Sequence, residues 1–155
     1  MAIKISLFIA TVFYAVIISQ SLFYILAMST VMKKMQAPVF IQTRQLLDAK
    51  LQTTLYLAYY LALASSIALT AFSVVNPYGI LFRCSLIALA ALVADIMISL
   101  KGNVPLNKTI NTWTTTNYPA NWEQYRSKWF SLYHTRQVIN ITGFIALLAG
   151  IIFGL

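Results

Sequence analysis

Residues 80–100 read ILFRCSLIALAALVADIMISL, with one cation and one acid in an otherwise apolar or small-residue run. A helix of that length rises about 30 Å, the thickness of a bilayer's hydrocarbon core. Three more runs of the same character lie at about 6–31, 51–75 and 138–155. Lipid offers backbone N–H and C=O groups no partner, so a spanning segment is either a helix or part of a closed barrel. None of the runs shows the alternation of barrel strands, and all four are predicted to be helices. The last is the shortest, and it spans only if its first turn begins in the polar segment before it.

Composition points the same way. Hydrophobic residues make up 60% of the 155-residue chain and charged residues 9%, whereas a soluble domain is about a quarter charged. Mean hydropathy is +0.77. The expected fold is an all-α integral membrane protein, one four-transmembrane-helix bundle over residues 1–155. Its polar loop, 101–137, is expected to hold short amphipathic helices. Pro105 stands near the start of one, and Pro119, with Glu123 a turn later, opens another that runs into the last span. Asn76-Pro77-Tyr78-Gly79 is a tight turn between the second and third spans. Pro38 interrupts the first loop, and 42–52 reads as a helical lead-in to the second span. Lys4 before an apolar run resembles a secretory signal, but about 25 apolar residues exceed a signal core, so a retained helix is expected. Cys84 is the single cysteine, which allows no internal disulfide.

Nine of the eleven Lys and Arg residues fall in the two large loops or at their edges, leaving Lys4 and Arg83 on the other side. The positive-inside rule then places both loops in the cytoplasm and both termini outside, with the plasma membrane the expected location. The net charge of +8 is accounted for by topology and by attraction to anionic headgroups. Membrane lipids are the expected partners, together with a small hydrophobic or aromatic ligand, and nucleic acid is not one.

The polar residues repeat at helical spacing. Trp122, Arg126, Trp129, Tyr133, Arg136 and Asn140 are four, three, four, three and four residues apart, which puts all six on one helical face. A tryptophan one turn to either side of Arg126 suits cation–π stacking, although an interfacial aromatic belt has the same composition. Gln45, Asp48, Gln52, Tyr56 and Tyr59 form a second face on the second helix. Arg44 and Asp48 also have the spacing of an ordinary surface ion pair. Asp95 lies about 9 Å below the basic membrane boundary, where an ionised carboxylate needs a partner: Arg126 or Arg136, with Lys101 snorkelling back as the alternative. Gln20 reads as interhelical hydrogen-bond glue. Polar groups from all four helices thus converge on one half of the bundle and predict a concave site opening there.

The segment Asn103-x-Pro105-Leu106-Asn107, the following Trp113, Arg126-x-x-Trp129, and His134-x-Arg136 leading into the last span resemble the anthrone-oxygenase-like family of small four-span membrane proteins. That resemblance implies cofactor-free oxygenation of an anthrone to an anthraquinone, a monooxygenase reaction using neither metal nor flavin. Such chemistry needs a base for an acidic C–H, a stabiliser for the enolate, and an apolar slot that admits oxygen. Asp95 and His134 are the candidate bases, and Arg126 and Arg136 the candidate enolate holders. Asn103 and Asn107 would donate hydrogen bonds one turn apart, and Trp113, Trp122 and Trp129 would stack on a planar ring. Asn140, Tyr133, Gln45, Asp48 and Gln52 complete the ligand-binding set. As alternatives, Asn103 would cap the helix at Pro105, and Asn107 would tie the loop to a backbone carbonyl.

Two other classes fit the same residues. One is a non-catalytic protein that binds a lipid, a quinone, another membrane subunit or a second copy through the Trp and Arg stripe. The other is a small transporter with Asp95 as its proton-coupled acid. A haem or metal enzyme is disfavoured, because one His and one Cys cannot supply the usual ligand sets.

Overall fold

The computed structural model describes residues 1–154, with the side chains of all of these except Gln52, Thr53 and Thr54. Four long helices make up nearly all of it: α1 (Ala2–Lys33), α2 (Ala37–Ser73), α3 (Ile80–Asn111) and α4 (Trp122–Gly154). No strand forms among the described residues. Each helix contains a stretch long and apolar enough to cross a bilayer, in α2 the stretch Leu55–Ser73. The protein is therefore an all-α, four-helix integral membrane bundle.

The breaks between helices follow from local chemistry. Gln36 is extended (φ −69°, ψ 159°), and Pro38 then falls in the first turn of α2, where its missing N–H has no intrahelical partner to lose. Pro38 thus opens a helix where the sequence suggested a loop interruption. The lead-in and second span form one 37-residue rod, about 55 Å long. Between α2 and α3 the expected tight turn is present: the Gly79 N–H donates to the Asn76 carbonyl at 2.9 Å.

Two π-helical turns interrupt the α-register, at Tyr24–Met28 in α1 and Ser99–Asn103 in α3. In each, an N–H reaches back five residues, Ser29 to Tyr24 and Val104 to Ser99. The second turn accounts for a departure from the sequence reading. Pro105 was expected to open a separate short helix, but α3 continues through it to Asn111. Pro105 falls in the first turn after the π turn, where its missing N–H sits at a change of hydrogen-bond register. The helix after Pro119 is likewise the start of α4. Of the polar loop 101–137, only 112–121 is outside the helices.

α1 packs most extensively on α2 and α3 on α4, while α1–α4 and α2–α3 contacts close the ring. The membrane core joins Leu7, Ala10, Tyr14 and Ile17 of α1 to Ala62, Leu69, Ala88, Leu92 and Leu147. The α4 stripe continues into this core as Gly143, Leu147 and Gly150, all buried, keeping the three-and-four spacing of a left-handed bundle. A second core at the basic end joins Tyr24, Met32, Phe40, Ile41, Ile110, Trp113, Trp129, Phe130 and Tyr133. The bundle thus holds together beyond the apolar spans, and that extension carries the polar residues.

Candidate ligand-binding site

The α4 stripe faces inward. Trp129, Tyr133 and Asn140 are buried, and Trp122, Arg126 and Arg136 are partly so. Arg136 meets Asp95 of α3, Nε to Oδ1 at 2.7 Å and Nη2 to Oδ2 at 3.4 Å. It also donates to Asn103 Oδ1 and to the Tyr59 hydroxyl, each at 3.4 Å. Asp95 has no exposed surface, and the two-point contact supplies the partner that a buried carboxylate requires.

One turn nearer the basic end, a second network surrounds Asn107. Its Oδ1 accepts from Trp129 Nε1 at 2.8 Å and from Arg44 Nη2 at 3.0 Å, while its Nδ2 donates to Asp48 Oδ1 at 2.7 Å. Asn111 donates to the other Asp48 oxygen at 2.8 Å. Arg44 lies 3.9 Å from Asp48 and stacks over Trp129, its Cζ 4.3 Å from the ring centroid. Burial pulls the Arg44 pKa below its ordinary value, with the Asp48 carboxylate opposing that shift. Asn103 lies between the networks, its Nδ2 donating to the Trp129 carbonyl at 3.3 Å. It makes no capping bond. Gln20 of α1 donates to the Tyr133 hydroxyl.

These groups line one cavity of about 450 Å³. Its wall is mostly Leu, Met, Phe and Tyr, with Gln20, Arg44, Asp48, Asp95, Asn103, Asn107 and Arg136 as the polar points. Both π turns contribute, Tyr24 and Met28 from one and Ser99, Leu100 and Asn103 from the other. Four lining residues are also exposed on the outside of the bundle: Phe23, Tyr56, Tyr60 and Leu100. All four lie in the apolar spans.

The structure separates the sequence candidates into two groups. Asp95, Arg136, Asn103, Asn107, Trp129, Tyr133 and Asp48 meet at the cavity. Others serve the surrounding scaffold. Arg126 is not Asp95's partner: it donates to the Met35 carbonyl at 2.9 Å, pairs with Glu123 at 3.3 Å and stacks on Trp122 at 4.4 Å. Trp129, expected on Arg126's other side, holds Arg44 instead. Gln45 ties α2 to α3 by donating to the carbonyls of Ile110 and Trp113. Trp113 packs edge-on against Tyr125, ring centres 5.2 Å apart. Asn140 is buried one turn deeper than Arg136 and does not reach the wall. His134 is exposed on the outer face of α4, away from Asp95, because 134 falls between the inward positions 133 and 136. The Gln52 side chain lies outside the described residues.

Arg44 and Tyr24 are wall residues that the sequence reading did not single out. The Arg44–Asp48 pair considered as a surface alternative does form, but both residues are buried, and Arg44 sits three residues after buried Ile41, a spacing that marks it as inward. Tyr24 follows the buried α1 series Ala10, Tyr14, Ile17 and Ser21 in the same way. Among the described residues no three His, Cys, Asp or Glu side chains gather as a metal would need. What the arrangement can do chemically is hold a flat apolar body and offer hydrogen bonds at one end. Comparison of the chain with protein-family models, curated proteins and solved structures finds no match.

Proposed function

We propose that this protein binds a small, planar, largely apolar molecule that enters its cavity sideways from the membrane. The observation that carries the reading is the cavity itself: about 450 Å³, walled by aliphatic and aromatic side chains, with convergent polar groups, and with Phe23, Tyr56, Tyr60 and Leu100 of its lining exposed within the apolar spans. That volume is in the range of small-molecule sites and suits a body of two or three fused rings. The basic end, carrying nine of the eleven Lys and Arg residues, is cytoplasmic on this reading, and the membrane is the plasma membrane.

A fluorescence titration tests it. The neutral planar dye N-phenyl-1-naphthylamine, added to detergent-solubilised protein, is expected to show saturable energy transfer from tryptophan. Ser99→Phe, which fills the cavity from the α3 π turn, should abolish saturation. Non-saturating transfer that is the same in both proteins would overturn the reading.

One further observation favours catalysis as a second reading. Asp95 and Arg136 place a carboxylate and a cation together on an apolar wall, a base and a holder for developing oxygen charge. An anthrone would lose its acidic C–H proton to the carboxylate. The resulting carbanion would take up dioxygen as a hydroperoxide, and loss of water would leave the anthraquinone, one dioxygen consumed per substrate. Oxygen uptake with anthrone above the protein-free rate is the expected result; a wild-type rate no higher than the protein-free one would remove catalysis and leave binding.

A further inference from the structure

Three acidic residues stand against eleven lysines and arginines, and an arginine takes each of the three: Arg44 faces Asp48, Arg126 faces Glu123 and Arg136 faces Asp95. Among the described residues, Lys33, Lys101 and Lys128 are left at the basic end with no carboxylate to pair with, and all three are exposed.

They gather around one face of α4. Ser127, Ser131, His134 and Val138 are four, three and four residues apart and all exposed, so they make one outward face, with Lys128 at its edge. On the α1 side, the Lys33 ammonium lies 5.7 Å from the ring centroid of Phe130. On the α3 side, Gly102, next to Lys101, packs so closely on α4 that a Cβ there would lie 2.8 Å from Leu132 Cδ1. Lys33 and Lys101 thus arrive at α4 within one turn of each other, at Phe130 and Leu132. Ser131 lies between these two, about 100° around the helix from each.

The patch sits where the apolar spans end. Lys33 follows the run 6–31 by two residues, Lys101 follows the run 80–100 directly, and Val138 opens the run 138–155. Further along the same α4 face, Val138 and Ile145 are 50% and 60% exposed. Uncompensated cations with a hydroxyl between them, set at the head of an exposed apolar ridge, match an anion that carries its own hydrocarbon. A free anion would leave the ridge unused.

We infer that this face of α4 is a binding site for an anionic phospholipid. The phosphate sits over Ser131 between Lys33 and Lys101, and an acyl chain runs along Val138 and Ile145. The site is on the outside of the bundle, independent of the cavity and of what the cavity binds. Lys108, about 10 Å further along α3 than Lys101, and Lys50 on α2 contribute only the general attraction of a basic end to an anionic membrane.

The test uses protein reconstituted in phosphatidylcholine vesicles that carry a trace of pyrene-labelled phosphatidylglycerol or, in parallel, of pyrene-labelled phosphatidylcholine. Energy transfer from tryptophan to pyrene reports which lipid stays at the protein, and Trp129, two residues from Ser131, supplies a donor close to the site. Wild type is expected to enrich phosphatidylglycerol at least about tenfold, each of the two lysines contributing about fivefold. Lys33→Gln with Lys101→Gln should cut the enrichment to about twofold or less, whereas Lys50→Gln with Lys108→Gln, which removes equal charge from the same end, should keep most of it. Ser131→Glu, which puts a carboxylate between the two lysines, should also remove the enrichment. Millimolar inorganic phosphate should not displace the labelled phosphatidylglycerol. Equal transfer from the two tracers in wild type would overturn the inference. So would equal losses in the two double variants, which would leave only general attraction, and so would displacement by inorganic phosphate. Ser131→Glu changes one exposed residue and decides the matter if the first double variant fails to fold: unchanged enrichment there would show that the lipid does not sit on this face.

Discussion

Asp95 and Arg136 show how a charge is kept inside a bilayer-spanning bundle. The carboxylate has no exposed surface, and two hydrogen bonds from one guanidinium hold it. Removing only the acid leaves a buried arginine unpaired. Asp95→Asn is therefore expected to destabilise the protein by about 3–5 kcal/mol, and the double variant Asp95→Asn with Arg136→Met to recover most of that loss. Thermal unfolding in detergent checks it; a double variant less stable than the single would show that the pair is not the dominant partner of either residue. His134→Ala, on the outer face of α4, should change stability by no more than about 0.5 kcal/mol and leave ligand binding as it was. At this scale the sequence was informative about which residues are polar and deep, less so about which ones meet. Arg126 and Arg136 share a stripe, and choosing between them needs the vertical offset of α3 against α4, which the spacing within either helix does not give. The Arg44–Asp48 pair, open to a surface reading, is buried on the cavity wall, because an i, i+4 pair reads identically on a surface and on a wall.

At the scale of elements, the three-and-four spacing on α4 was legible from Trp122 to Asn140, and the structure extends it. It runs from Trp122 to Asn140 and on through Gly143, Leu147 and Gly150. The glycines of that series allow close approach. A Cβ at Gly143 would strike the Tyr14 hydroxyl and lie 2.8 Å from the Ala91 Cβ. Tyr14 is fully buried and donates to the Ala88 carbonyl at 3.1 Å, so it has little room to yield. Gly→Ala in a helix interior ordinarily stabilises by roughly 0.5–1 kcal/mol. Here the clash should win, and Gly143→Ala is expected to lower stability by about 1–3 kcal/mol in a thermal melt. A rise in melting temperature would mean that Tyr14 moves aside freely. The π turns were not legible. Nothing in Tyr24–Met28 or Ser99–Asn103 marks an extra residue per turn in advance. That Pro105 lies inside a continuous helix was hidden for the same reason.

At the scale of the molecule, four spans and one strongly basic end follow from the apolar runs and the positions of Lys and Arg alone, because the solvent, not the detailed packing, dictates them. The orientation is checked by cysteine labelling in a Cys84→Ser background. Tyr78→Cys should react with an impermeant maleimide on intact cells, and Thr115→Cys only after permeabilisation; the reverse order would invert the topology. The convergence of polar groups pointed to a concave site at the basic half, but its volume and lining were not legible, since a cavity is a property of how faces meet and not of any one face. That volume and its apolar and aromatic wall with convergent polar groups are the basis of the functional account. Its most direct test is mass spectrometry of the small molecules that stay bound to gently solubilised protein, with Leu63→Trp, which fills the cavity, run beside the wild type. The account expects a planar, largely apolar compound enriched in wild type and lost from the variant. Only bulk phospholipid, equal in both samples, would contradict it.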